Sequence, residues 1–217
     1  MRSRLVVFAA SVSVLLGSTW VAAQSPAPIQ LPAPQTEGGK PLMQALALRA
    51  TSREFAPGPL PPQTLSNLLW AAWGINRPDS GKRTAPSARN WQETDLYLVT
   101  ASGAYLYDAA ANRLVAVAAA DLRALAGAQA FVKEAPVTLV FVADTTRMKG
   151  APPEMQQSYA WADAAFISQN VYLFCASSGL ATGVRAMVDR LPLAKALKLA
   201  PTQLITLAQS VGYPKKQ

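Results

Sequence analysis

Residues 152 to about 178 constrain this chain more than any other stretch. Pro152, Pro153 and Glu154 open a helix there, because proline fits a first turn whose N–H groups lack helical partners anyway. Gly179 closes it as a left-handed cap. From Ala160 to Ala176 the apolar residues run nearly all round the helix. Such a helix is covered on most sides, in a core or across a subunit interface. Asp163, Gln169 and Asn170 interrupt the apolar run and argue against a membrane span.

The rest of the chain supplies what that helix must pack against. Residues 137–142 are a continuous β-branched apolar run, the pattern of a buried strand. Short strands are predicted over 95–100, 104–107 and 113–117, with a turn at Ser102-Gly103, and two more over 182–188 and 203–211. Helices are predicted over 41–49, opened by Pro41, over 63–73, ended by Gly74, and over 119–126 and 193–199. Residues 76–92 have no apolar pattern and read as one long loop, a length that in compact domains goes with function or disorder. The expected architecture is α+β: one central mixed, mostly antiparallel sheet flanked by helices.

The N-terminus reads as an address. Arg2 and Arg4 precede an apolar stretch over 5–17, and Val21-Ala22-Ala23 offers small residues for cleavage before Gln24. Residues 1–23 are therefore expected to be a signal peptide, the apolar stretch falling short of the about 20 residues a membrane span needs. The mature protein would be exported, periplasmic or secreted. Residues 24–40, rich in Pro, Gly and Gln, read as a flexible leader, and 41–217 as the folded domain.

Composition removes several chemistries. The chain has no histidine, so a Ser-His-Asp triad or a His-ligated metal is excluded, and no metal is expected. Its single cysteine, Cys175, cannot form an intrachain disulfide and reads as a packed thiol in the apolar helix. The net charge of +8 loses Arg2 and Arg4 with the signal, and the remaining basic residues are scattered. Without a basic stripe interleaved with aromatics, nucleic acid is not an expected partner. Nor is a membrane, once the signal is cleaved. Hard chemistry would have to come from an organic cofactor or from carboxylates.

Four constellations could carry it. Arg49-Ala-Thr51-Ser52-Arg53-Glu-Phe55 sets two forked guanidiniums around hydroxyls, a grip for phosphate and a polyhydroxylated chain, or simply a complement to a helix C-terminus. Ala85-Pro86-Ser87-Ala88-Arg89-Asn90-Trp91-Gln92 offers small residues for close backbone approach and amides for ring nitrogens and carbonyls. Gln169, Asn170 and Tyr172 on the apolar helix need polar partners, helix–helix hydrogen bonding being the favoured reading for Gln169. They lead into Gly179-Leu180-Ala-Thr182-Gly183. The tail Gly212-Tyr213-Pro214-Lys215-Lys216 ends in two point charges.

In this order the four resemble the nitroreductase superfamily of FMN enzymes. The middle of the chain, with Gly103-Ala-Tyr105-Leu-Tyr107-Asp108, Asp121-Leu-Arg123 and Ala135-Pro136-Val137, resembles its thiazole/oxazole-forming dehydrogenase branch. The resemblance runs from about Pro41 to Pro214. It implies an intertwined homodimer with FMN at the interface, in which Arg49, Thr51 and Arg53 hold phosphate, ribityl chain and pyrimidine edge. Pro86, Ser87, Ala88 and Asn90 would line the flavin. The backbone of 183–187, including Arg185 and Ala186, would face N5, where hydride arrives or leaves. Lys215 or Lys216 would reach the phosphate.

Arg89 and Asn90 stand where that branch carries two glycines, and Arg89 with Trp91 would narrow the substrate side toward a small or anionic molecule. The function so implied is an exported FMN-dependent oxidoreductase acting on a small organic substrate. Its electron donor is open, since NAD(P)H is a cytoplasmic molecule. Tyr105, Tyr107, Glu93 and Asp95 are possible proton acceptors. Two alternatives stand beside this: a binding or scaffold protein that keeps the fold without flavin, which Arg89 and Arg185 favour, and an enzyme oxidising azolines in a peptide.

Overall fold

Strand 137–144 sorts the molecule into layers. In this segment Leu139 and Phe141 point to one side and Val140 and Val142 to the other, all of them fully buried. That period-two alternation, with both faces apolar, places the strand in the middle of a sheet covered on both sides. The computed structural model describes residues 27–215. The expected signal segment and Lys216 lie outside the described residues.

Nine strands and five helices make up the described chain. They are β1 (Ile29–Gln30), α1 (Leu42–Leu48), α2 (Pro62–Trp73), β2 (Ile75–Arg77), β3 (Lys82–Arg83), β4 (Thr94–Thr100), β5 (Gly103–Asp108) and β6 (Arg113–Ala118). Then follow α3 (Phe131–Glu134), β7 (Val137–Asp144), α4 (Pro153–Ser178), β8 (Ala181–Arg185), α5 (Arg190–Ala196) and β9 (Gln203–Gly212). Seven strands form the sheet in the order β1-β6-β5-β4-β7-β9-β8. The antiparallel character expected of most of the sheet extends to every pairing in it.

The long helix α4 lies across one face of this sheet with α1 and α2 beside it. Ala164, Ile167, Val171 and Cys175 of α4 are buried against Leu68, Leu69, Leu98 and Phe141. Gly179 caps α4 at φ 69°, the left-handed conformation that only glycine adopts freely. On the other face α5, α3 and the turn Arg123–Ala126 cover Tyr97, Val99, Val140 and Val142.

Three local expectations change. The helix expected over 119–126 is a single turn, because the Asp121 carboxylate accepts the Arg123 N–H at 3.0 Å and pairs with its guanidinium at 2.7 Å. Such local bonds compete with helix propagation. The long loop 76–92 contains the β2–β3 hairpin, turned at Gly81 (φ 63°), and one further turn at Ala88–Asn90. The predicted strand 182–188 stops at Arg185.

The leader is also more ordered than its composition suggests. β1 pairs with β6, Leu31 is buried in the main core, and Ser66 Oγ donates to Pro32 O at 2.6 Å. Farther on, Lys40 N donates to Ser177 Oγ at 2.7 Å. Leu31→Ala should therefore cost about 2 kcal/mol in urea unfolding, as a buried Leu does and a free leader residue does not.

Candidate functional site

Tyr172 is the hub of the first site. It lies on α4 facing edge strand β8, and its hydroxyl accepts the Val184 N–H at 3.1 Å. The same hydroxyl bonds Thr51 Oγ1 at 2.9 Å, and Arg49 stacks over its ring at 5.3 Å. The segment after α1 is thus fixed to α4. It is fixed to β8 as well: Ser52 N donates to Thr182 O at 2.8 Å. Gly183 makes that approach possible, since a Cβ there would stand 2.9 Å from Ser52 O. The tail closes on the same segment, with Ala56 N donating to Tyr213 O and Phe55 bridged to Pro214.

Arg49, Thr51, Arg53, the β8 edge, Ala186 and Lys215 are therefore gathered on one side of the molecule. Thr51, Arg53, Ala186 and Lys215 are exposed and Arg49 is half-buried. Among the described residues none of Arg49, Arg53 and Lys215 forms an ion pair. Two guanidiniums and an ammonium, none within 4 Å of a carboxylate, together with a hydroxyl form a donor set for an anion. That set fits the phosphate and ribityl hydroxyls of FMN.

Arg185 departs from the expected arrangement. Its side chain turns into the layer on the other face of the sheet, where Nε donates to Ala126 O at 2.8 Å and Nη1 to Ser210 Oγ at 3.0 Å. It is buried over Phe131, and burial without a counter-ion pushes its pKa down to about 10. Only its backbone remains available at the edge strand.

The second constellation lies elsewhere on α4. Ala88 N donates to Asp163 Oδ2 at 2.9 Å, and Trp91 packs edge-on against Tyr159 at 5.9 Å. Asp163 and Tyr172 are nine positions apart, roughly 13 Å along a helix. Within the chain, Pro86, Ser87, Ala88 and Asn90 thus sit beside the N-terminal half of α4, away from Arg49. The loop is tightly held. Arg89, Asn90 and Gln92 all have positive φ, at 51°, 55° and 48°. Ser87 Oγ accepts the Gln92 N–H at 2.9 Å, and Arg83 Nε donates to Gln92 Oε1 at 2.7 Å. Arg89 stacks on Trp91 at 5.4 Å.

α4 also exposes Tyr159, Ala162, Ala165, Phe166 and Gln169, and α1 exposes Leu42, Met43, Leu46 and Leu48. Gln169 is exposed, and the helix–helix hydrogen bond expected of it is not made within the chain.

The possible proton acceptors differ in fate. Asp95 is paired to Arg147 at 2.7 Å. Tyr107 is buried and its phenol is pushed up to about 12 by desolvation, which removes it as a base near neutrality. Cys175 is fully buried and burial pushes its thiol up, consistent with an inert packed residue. Glu93 is fully buried next to Asp163. Sequence reasoning missed the roles of Tyr172 and Asp163, which only their spatial partners reveal.

Known proteins share the fold and the family. Residues 46–213 match the model of the nitroreductase family. A protein of Ralstonia eutropha, described as a nitroreductase and known from its crystal structure, is 41% identical. It covers 90% of this chain and 93% of its own, with a TM-score of 0.85. A protein of Methanocaldococcus jannaschii, also described as a nitroreductase, is 28% identical over 65% of this chain and 76% of its own. The microcin synthetase complex of E. coli shares the fold, with 17% identity, a TM-score of 0.67 and coverage of 94% of this chain and 79% of the matched one. The Arg49–Tyr172–β8 cluster lies inside the matched region, and a match of that extent means that the chain belongs to the nitroreductase family of oxidoreductases.

Proposed function

We propose that this protein is an exported, homodimeric, FMN-dependent oxidoreductase that passes electrons between a donor and a small organic substrate. The observation that carries the reading is the unneutralised set of Arg49, Arg53 and Lys215 around Thr51, beside an edge strand anchored by Tyr172. Bound there, FMN would supply hydride exchange at its ring N5.

The chain's own residues then have separate tasks. Arg49 and Arg53 hold the phosphate by forked, charge-assisted bonds, and Lys215 adds a point charge. Thr51 gives a hydroxyl to the ribityl chain. The backbone at Arg185 and Ala186 borders the ring. Pro86, Ser87, Ala88 and Asn90 sit about two and a half turns along α4 from this group in one chain, and in the proposed dimer they line the flavin of the partner. The exposed apolar residues of α1 and α4 are the surface that such a dimer buries. Arg89 and Trp91 narrow the opening and favour a small or anionic substrate over a peptide, which weighs against azoline oxidation.

Export follows from the reading of residues 1–23 as a signal peptide, and it makes NAD(P)H an unsuitable donor. The reading is tested with the mature protein purified from the periplasm or medium. It should sediment as a dimer at micromolar concentration and carry flavin absorbance that bleaches with dithionite. The colour should return on anaerobic addition of a nitroaromatic or a quinone. A monomer would overturn the shared site, and a bleached flavin that neither acceptor reoxidises would overturn the oxidoreductase reading. A protein that takes up no flavin would favour the scaffold alternative.

A further inference from the structure

Two carboxyls are sealed beneath the loop that carries Pro86, Ser87, Ala88 and Asn90. Glu93 has no exposed surface and Asp163 is only 2% exposed. Glu93 leads from the loop into β4, and Asp163 projects from α4. Asp163 Oδ2 accepts the Ala88 N–H at 2.9 Å, which ties the loop to the helix. Glu93 Oε1 accepts from Thr94 Oγ1 at 3.4 Å, whereas its Oε2 meets no donor. The Asp163 carboxyl lies within hydrogen-bonding reach of the Glu93 carboxyl. With both ionised, that contact would set acceptor against acceptor in a site closed to water. One proton between them turns it into a charge-assisted O–H···O bond.

We propose that protonated Glu93 donates to the Asp163 carboxylate, and that this shared proton latches the loop in the conformation that lines the flavin. Glu93 is thus a positioning residue that acts through Asp163 and Ala88. The loop needs such a latch, because Arg89, Asn90 and Gln92 all hold left-handed backbone conformations that side chains disfavour. Burial, with the nearby Asp163 charge, pushes Glu93 up to about 7. Asp163 is also shifted up by burial, while the Ala88 N–H and the bond from Glu93 favour its ionised form.

The other charged groups around the pair are engaged elsewhere. From the turn after β7, Arg147 reaches Asp95 at 2.7 Å and Gln92 O at 3.0 Å, and it lies 3.9 Å from Asp144. From β3, Arg83 binds Gln92 Oε1 and Trp73 O and lies over the Trp73 ring, with the buried Tyr107 phenol nearby. Arg89 stacks outward on Trp91. α2 presents Trp73, whose Nε1–H goes to Thr94 O. None of these cations bonds either carboxyl.

As pH rises through neutrality the shared proton passes to bulk base. The two carboxylates then repel, and the hold on Ala88 loosens. The function of the latch rests on the reading that this loop lines the flavin, whereas its existence does not. The test is hydrogen exchange on the whole mature protein, corrected for intrinsic rates, at pH 6 and pH 8.5, with FMN affinity measured on the same samples. Amide protection over residues 87–92 should fall by about tenfold or more in the wild type. It should stay flat in Glu93→Gln, whose amide donates to Asp163 at every pH. If Glu93→Gln does not fold, Asp163→Asn should be flat too, since its amide donates to Glu93 while its carbonyl accepts from Ala88.

A wild type with constant protection, or a folded variant that keeps the fall, overturns the latch. If protection falls while FMN affinity stays constant, the loop does not position flavin and the positioning role is lost. If protection falls and no FMN binds at either pH, the latch stands and the flavin reading fails.

Discussion

Replacing Arg49 and Arg53 together by alanine should lower FMN affinity by about 100- to 1,000-fold while leaving the protein folded. Each guanidinium would give a phosphate charge-assisted, forked bonds, and losing both removes on the order of 3–4 kcal/mol of binding. Neither residue holds the core together. Arg53 is exposed, and the stacking of Arg49 on Tyr172 is worth about 1 kcal/mol or less to the fold. Lysine at both positions should recover part of the loss, because it keeps charge but not the fork. Flavin retained after dialysis, read by absorbance, checks this. Equal flavin in variant and wild type would make Arg49 and Arg53 a helix-end pair complementing a dipole.

The largest effect on stability is expected from Phe141→Ala. Phe141 is fully buried in the central strand, opposite Leu96 of β4, on the face that α4 covers. Truncation loses the transfer free energy of the ring and leaves a cavity that a sheet paired on both sides cannot close. The cost should be about 3–5 kcal/mol, a large part of the about 5–15 kcal/mol that a domain of this kind has. A urea midpoint lowered at unchanged slope would show it. Because Phe141 supports α4, which carries both Asp163 and Tyr172, flavin binding should weaken in parallel. A loss below about 1 kcal/mol would contradict the core assignment.

How far the sequence carries toward this structure depends on where each residue's partners lie. α4 was legible because its signals are local: prolines before it, a glycine after it, and apolar residues between. β7 was legible from its own composition. The leader was not, because Ile29 and Gln30 pair with Leu114 and Arg113, and a proline-rich stretch gives no local sign of that. Arg185 falls within the strand predicted over 182–188, but its side chain takes partners 59 and 25 positions away that no spacing rule connects. Asp163 read as a polar break in an apolar helix. Its meaning lies in Ala88 and Glu93, more than 65 positions earlier. Arg49, Thr51 and Arg53 were legible as a set, while Tyr172, which fixes them to β8, was legible only as a polar residue in need of a partner.

The central claim is that the Arg49–Arg53–Lys215 cluster is a flavin phosphate site, and a titration of FMN into flavin-free mature protein tests it most directly. Flavin fluorescence or absorbance should change saturably, with one FMN per chain and a dissociation constant of about 1 μM or below. FMN should also bind far more tightly than riboflavin, which lacks the phosphate those residues would hold. An unchanged flavin signal, or equal affinity for FMN and riboflavin, would contradict the account.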